Sequence, residues 1–186
     1  MEQTNLTNHF LIAMPALADP NFVHSVTFIC EHNEEGALGI IINRKTDIQL
    51  GDLFRSMDIE AEDSETAAQP VFSGGPVHPE QGFVLHQPAG EWASTLRVSN
   101  EISVTTSHDI IEAIAKRRGP EKYLIALGYA GWGGGQLEEE LAANAWLSGP
   151  VDSRIIFETP VEERWEAAAT LLGVDLSLLS NDVGHA

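Results

Sequence analysis

The segment that most limits the possible folds is an apolar run, Tyr123–Leu127, that enters Gly128-Tyr129-Ala130-Gly131-Trp132-Gly133-Gly134-Gly135. Glycine at that density cannot hold a helix, because each glycine gives up more backbone freedom than any other residue. A strand ending in a glycine loop is therefore expected, followed by a helix from about Gln136 to Trp146. Strand, glycine loop and helix in that order resemble a phosphate cradle. The details argue against one. The loop has no Lys for a P-loop, and a dinucleotide fingerprint started at Gly131 and Gly133 ends on Gln136. Glu138, Glu139 and Glu140 fill the first helical turn, where they suit the helix dipole but would repel a phosphate. What remains is a sharp backbone crossover in which Tyr129 and Trp132, flanked by Gly131 and Gly133, pack or protrude. A Tyr and a Trp in such a setting also suit a ligand or partner surface.

The rest of the chain mixes strands and helices without regular alternation. Phe10–Met14 reads as a strand ended by Pro15. In Ser25–Glu31, Val26, Phe28 and Cys30 share one face, and Leu38–Asn43 is a strand apolar enough to be buried on both faces. Asn33-Glu34-Glu35-Gly36 joins the two as a hairpin. Leu50, Leu53, Phe54 and Met57 have helical spacing. The acidic stretch Asp58–Glu65 reads as an exposed, mobile loop. Short strands follow at Val71–Ser73 and Phe83–His86, and around Ile102 and Val104. Thr106 and Asp109 have capping-box spacing for a helix that stops at Gly119-Pro120. Ile155–Phe157 reads as a further strand. Thr159, Pro160 and Glu162 open a helix whose inner face is Trp165, Ala168, Ala169 and Leu172, ended by Gly173. A short turn covers Leu176–Leu179. Strands dominate the first half and helices the second, so the fold class is α+β, as one domain over residues 1–186.

Charge narrows the partners. There are 28 acids against 10 bases, a net −18, and the acids divide evenly between residues 1–100 and the remainder. Such a chain repels phosphate backbones. Its one basic cluster, Lys116-Arg117-Arg118, has a ready explanation in the last turn of a helix. Direct nucleic-acid binding is not expected. Nor is a membrane span, since no run of about 18 apolar residues occurs. The apolar run Phe10–Leu17 is interrupted by Pro15, follows Glu2, and has no Lys or Arg before it, so it is not read as a secretory signal. The expected location is the cytoplasm.

Candidates for chemistry are sparse. Cys30 is the sole cysteine, so neither an intramolecular disulfide nor a second thiolate for a structural zinc exists. It is in phase with Val26 and Phe28 and reads as a buried thiol, although His32 is close enough in sequence to serve as the cation that a reactive thiolate needs. The histidines form no metal-binding spacing; His86 and His78 flank a short strand, and His108 sits at a helix start. Ser73-Gly74-Gly75 is not a nucleophile elbow. No catalytic residue, metal or cofactor is assigned.

Several segments together resemble the AlgH/YqgE family over nearly the whole length. They include Phe10-Leu-Ile-Ala-Met-Pro15, Cys30-Glu-His32, Ser73-Gly-Gly-Pro76, Gly82-Phe83 with Leu85-His86, and Thr105-Thr-Ser107. Further along come Ala126-Leu-Gly-Tyr-Ala-Gly-Trp132, Gln136-Leu-Glu138, Asn144-Ala-Trp146 and Gly184-His-Ala186. Lys45 departs from the pattern, where proline is expected, as does Arg117-Arg118-Gly119. The resemblance implies a single α+β domain with a strongly curved, barrel-like mixed sheet flanked by helices. It brings a label of transcriptional regulation but no substrate, cofactor or catalytic residue. Two readings follow. The first is a non-enzymatic regulatory or adaptor domain acting through a protein partner or small ligand, with Tyr129, Gly131, Trp132, Gly133, Cys30, His32 and His86 as candidate contacts. The second is an enzyme or redox-responsive protein, which requires a pocket gathering Cys30, His32 or His86 with Tyr129.

Overall fold

The structure, a computed structural model, describes residues 5–183, with the side chains of 180–183 outside the description. Glu2 and the Gly184–Ala186 match lie outside the described residues. The expected hairpin is present. Strand β1 (His9–Ala13) precedes β2 (Val26–Asn33), which turns through Glu34-Glu35 into β3 (Gly36–Ile41). Strand β4 (Lys45–Gln49) leads into helix α1 (Leu50–Ser56), and α2 (Ser64–Ala67) precedes β5 (Pro70–Ser73). Then come β6 (Val77–Gln87), β7 (Thr95–Arg97), β8 (Ser103–Thr105), α3 (His108–Ala115) and β9 (Lys122–Gly133). The chain finishes with α4 (Gln136–Ala142), β10 (Trp146–Pro150), α5 (Ser153–Phe157), a 3-10 turn at Val161–Glu163, α6 (Arg164–Thr170) and α7 (Leu176–Val183).

One curled, open sheet runs in the order β10-β1-β2-β3-β9-β6-β8-β7. Its pairings are antiparallel except that β5 lies parallel to β9, with β4 attached to β5. The mixed, barrel-like sheet flanked by helices is thus present. Both faces are covered, as the apolar run in β3 required. Phe10, Phe28, Ile40, Leu85 and Leu124 form one layer with Ile155, Ile156, Ala168 and Ala169 of α5 and α6. On the other face, α1 and α3 cover one end through Leu50, Phe54, Ile110 and Ile114, and α4 covers the other through Leu137.

Several local expectations need correction. Strand β9 does not stop at the first glycine. It continues to Gly133, because pairing with β6 along one edge and β3 along the other outweighs glycine's poor strand propensity. Helix α4 ends at Ala142, not Trp146. Asn144 takes a left-handed φ of 62°, and the Ala145 N–H returns to the Glu140 carbonyl, ending the helix so that Trp146 can start a strand. Ile155–Phe157 is helical, not extended. The Asp152 carboxylate caps it by accepting from the Arg154 N–H at 3.0 Å. Helix α3 ends at Ala115, ahead of Gly119-Pro120, where Arg117 adopts a φ of 58°. The basic triplet therefore follows the helix instead of occupying its last turn. Ser107, not Thr106, is the N-cap of α3, and its hydroxyl donates to Asp109 at 2.5 Å. The acidic stretch is partly helical, since Asp63 caps α2 through the Thr66 N–H. Pro160 precedes a 3-10 turn before α6 begins, and the turn expected at Leu176–Leu179 is the start of α7.

Candidate functional site

Two glycine-bearing motifs that lie far apart in sequence meet at one crossing. Gly74 and Gly75, between β5 and β6, pass against the backbone of Gly128 and Tyr129. A Cβ on Gly74 would overlap the Gly128 carbonyl, and one on Gly75 would overlap the Tyr129 carbonyl. Gly74 also ties β9 to β3 by its backbone. Its N–H donates to Leu127 at 2.8 Å, and its carbonyl accepts from the Ile41 N–H at 2.9 Å. Gly128, with a φ of 82°, changes the phase of β9. Leu124, Ala126 and Tyr129 pack on the layer under α5 and α6, whereas Ala130 and Trp132 turn to the layer under α4. The two aromatics singled out in the sequence therefore lie on opposite faces of one strand.

Tyr129 faces a shallow depression of about 430 Å³ at the end of the β2–β3 hairpin. Glu31, Asn33 and Glu35 rim it, and Leu38 and Val77 supply apolar floor. The Tyr129 ring meets Phe83 edge-on at 5.6 Å and His78 at 6.0 Å. Gly131 leaves the ring uncovered, since a Cβ there would stand 3.3 Å from Tyr129 Cε2. The half-buried ring is held from beneath and open above.

The opposite face is a closed assembly. Trp132 and Trp146, 5% and 4% exposed, both donate their indole N–H to the same Glu140 carboxylate oxygen, at 3.1 and 2.9 Å. Phe22 stacks on Trp132 and meets Trp146 edge-on. Gln136 donates to the other Glu140 oxygen and accepts from the Gly133 N–H. A register shift between Ile29 and Glu31 puts His32 on this side of β2, buried against α4. The Leu6 N–H donates to His32 Nδ1 at 3.0 Å, so the ring proton sits on Nε2 and donates to Glu138 at 2.7 Å.

Cys30 points the other way, into the layer with Val26 and Phe28, and is 2% exposed. Burial pushes its thiol far above the usual range, with the Glu31 charge acting in the same direction. Its Sγ–H faces the Phe28 carbonyl at 3.8 Å. His86 lies toward the far end of β9, opposite Tyr123, and is fully buried. Its Nδ1–H donates to the Pro88 carbonyl at 3.0 Å, so Nε2 accepts from the Thr105 hydroxyl at 2.7 Å, and Thr95 then donates to Thr105 at 2.8 Å. Burial lowers the imidazole pKa, opposed by the hydrogen bond to Pro88. Of the seven candidates, Tyr129 and Gly131 line one depression, and Trp132 borders it although it packs into the cluster on the opposite face. Gly133 serves the turn into α4. Cys30, His32 and His86 point into separate environments, and none lines the Tyr129 depression. The Tyr129 depression thus does not gather the residues that the enzymatic or redox reading requires. Among the described residues, no three His, Cys, Asp or Glu side chains converge as a metal site.

Sequence reasoning missed Arg164. It is 6% exposed and lines a second cleft, of about 410 Å³, between β5, β9 and the segment joining α5 to α6. A signal was available: Arg164 is one helical turn before Ala168, on the inner face already read from Trp165, Ala168, Ala169 and Leu172.

Comparison with known proteins agrees with this geometry. A family model described as DUF179, AlgH-like, matches residues 10–177. A UPF0301 protein of Thioalkalivibrio sulfidiphilus is 60% identical over 183 residues, covering 98% of each chain. Another, from Nitrosococcus oceani, is 58% identical over 179 residues and 96% of each. The solution structure of the AlgH protein from Pseudomonas aeruginosa is 48% identical, with a TM-score of 0.80 over 97% of both chains. A Corynebacterium diphtheriae protein shares the fold at 19% identity, with a TM-score of 0.76 over 97% of this chain and 94% of that one. The family model, these relatives and the shared fold agree, and the chain belongs to the AlgH-like, UPF0301 family.

Proposed function

We propose that this domain is a non-enzymatic regulatory or adaptor module that acts through a protein partner. Any effect on transcription is then indirect. The observation that carries the reading is the Tyr129 depression. It presents an aromatic ring supported from below, an apolar floor, and a rim bearing Glu31 and Glu35. Tyrosine offers large contact area with little entropy to lose, which suits it to anchoring a partner. The acidic rim selects for a partner segment carrying basic side chains beside an apolar one. The cysteine and histidines that an enzyme would use are each tied up elsewhere.

DNA is a poor candidate for direct contact. The chain carries −18, and Arg117 of the basic triplet is 3.1 Å from the Asp63 carboxylate. No helix among the described residues is long and apolar enough to cross a membrane. The reading takes the cytoplasm as its setting. The test is a DNA-binding titration of the isolated protein at low salt, beside affinity purification of the full chain. Retention of a protein with no sequence-specific DNA binding is the expected result. Tight, sequence-specific DNA binding by the purified chain would overturn the proposal.

A further inference from the structure

The cleft beside Arg164 carries an inference independent of the Tyr129 surface. Arg164 is a buried residue, 6% exposed, yet no carboxylate lies within ion-pair distance of it among the described residues. Its Nε donates to the Thr159 carbonyl at 2.9 Å and its Nη1 to the Ile42 carbonyl at 2.5 Å. The guanidinium carbon stands 5.3 Å from the centre of the Phe72 ring. These contacts fix the plane of the group but leave donors unused, because a guanidinium carries more N–H groups than two bonds consume. Burial lowers its pKa to about 10, against the attraction of Glu162, so it stays a cation at neutral pH. A buried cation without a counter-ion is costly, and a chain with 28 acids has no shortage of carboxylates to place beside it.

The cleft's lining explains what the open side of that cation can accept. Lys45, exposed and in no ion pair among the described residues, is a second cation on the same cleft. Phe72, Leu124, Phe157 and Val161 provide apolar wall, and Gln69 adds a neutral polar group. Glu162 also lines the cleft; it is exposed and attracts Arg164 from beyond ion-pair distance, so it offsets only part of the guanidinium charge. At about 410 Å³ the space suits a small molecule. We propose that this cleft binds a small carboxylate with an apolar or aryl body, its head group on Arg164 with Lys45 adding attraction and its body against Phe72 and Phe157. A planar fork of donors favours a carboxylate over a neutral amide.

The test is an NMR titration of the isotope-labelled full chain with phenylacetate, phenylacetamide and inorganic phosphate. Phenylacetate is expected to give saturable amide shifts centred on residues 45, 69–72, 123–125 and 156–164. Phenylacetamide should bind at least about tenfold more weakly, having no charge to offer the guanidinium. Phosphate should also bind more weakly, because it leaves the apolar wall uncovered. Arg164→Lys should weaken phenylacetate by about tenfold, since an ammonium cannot reproduce the fork. Should Arg164→Lys fail to fold, the exposed Lys45→Gln variant serves, with an expected loss of about two- to fivefold from a rim charge. Equal affinity for the acid and its amide, phosphate binding as tight as phenylacetate, shifts centred elsewhere, or undiminished binding by Lys45→Gln would each overturn the assignment.

Discussion

Glu140 holds two buried tryptophans by one oxygen, and its replacement gives a stability effect that can be worked out in advance. Trp132 and Trp146 are 5% and 4% exposed, so their indole N–H groups cannot turn to water if the carboxylate is removed. Glu140→Leu removes the acceptor for both, at 3.1 and 2.9 Å. Stranding a buried donor costs roughly 1–3 kcal/mol, so two cost about 2–6 kcal/mol. The leucine side chain recovers part of this by burial, which leaves about 2–4 kcal/mol. For a chain of this length that corresponds to a fall in Tm of roughly 5–15 °C. Glu140→Gln keeps an acceptor oxygen for both indoles but turns an amide toward Gln136, and should cost about 1 kcal/mol. Urea unfolding followed by far-ultraviolet circular dichroism separates the two variants without relying on tryptophan emission. The reasoning is refuted if Glu140→Leu stays within about 0.5 kcal/mol of the parent, or if the glutamine variant falls as far as the leucine one.

Three further outcomes follow from the same structure. Cys30 in the native protein should resist alkylation by at least about a thousandfold relative to the unfolded chain, with little acceleration between pH 7 and 9; labelling at the rate of an exposed thiol contradicts its burial. His86 titrates below the ordinary imidazole value of 6.5, so the unfolded chain takes up the proton first. The stability it contributes is complete above 6.5 and is lost as pH falls through the folded value, and the decline in urea midpoint from pH 7 to pH 5 should flatten in His86→Gln. Gly75→Ala should cost about 3–5 kcal/mol, combining overlap with Tyr129 and a strained φ of +153°, whereas Gly82→Ala, with no neighbour within 4 Å, should be neutral to within about 0.5 kcal/mol.

The elements that could be read from sequence are those whose signals are local. The β2–β3 hairpin has its turn residues and its apolar pattern in one stretch, and α1 shows its helical spacing directly. The misread elements depend on partners distant in sequence. Trp146-Leu-Ser-Gly-Pro has no strand pattern, yet it pairs residue by residue with β1, from Trp146 opposite Ala13 to Pro150 opposite His9. Gly128–Gly133 looks like a loop until the strands on both sides are known. Ile155–Phe157 has strand composition, and only the Asp152 cap and the packing of Ile155 and Ile156 make it a helix. The same division holds for the candidate sites. Tyr129 and Gly131 were visible as an aromatic beside glycines, while the rim from the hairpin was not. Separation of Cys30 from His32 depends on a bulge that no local residue announces. Arg164 went unnoticed because its carbonyl partners include Ile42, which is remote in sequence.

The most direct test of the adaptor reading is site-specific photo-crosslinking in cells. A photoreactive residue replacing Glu31, on the rim of the Tyr129 depression, is compared with one at exposed Glu112 on α3. The account predicts a discrete protein adduct from position 31, absent from position 112 and lost when Tyr129→Ser is added. An adduct with DNA, or no adduct at position 31 beyond that seen at position 112, would contradict it.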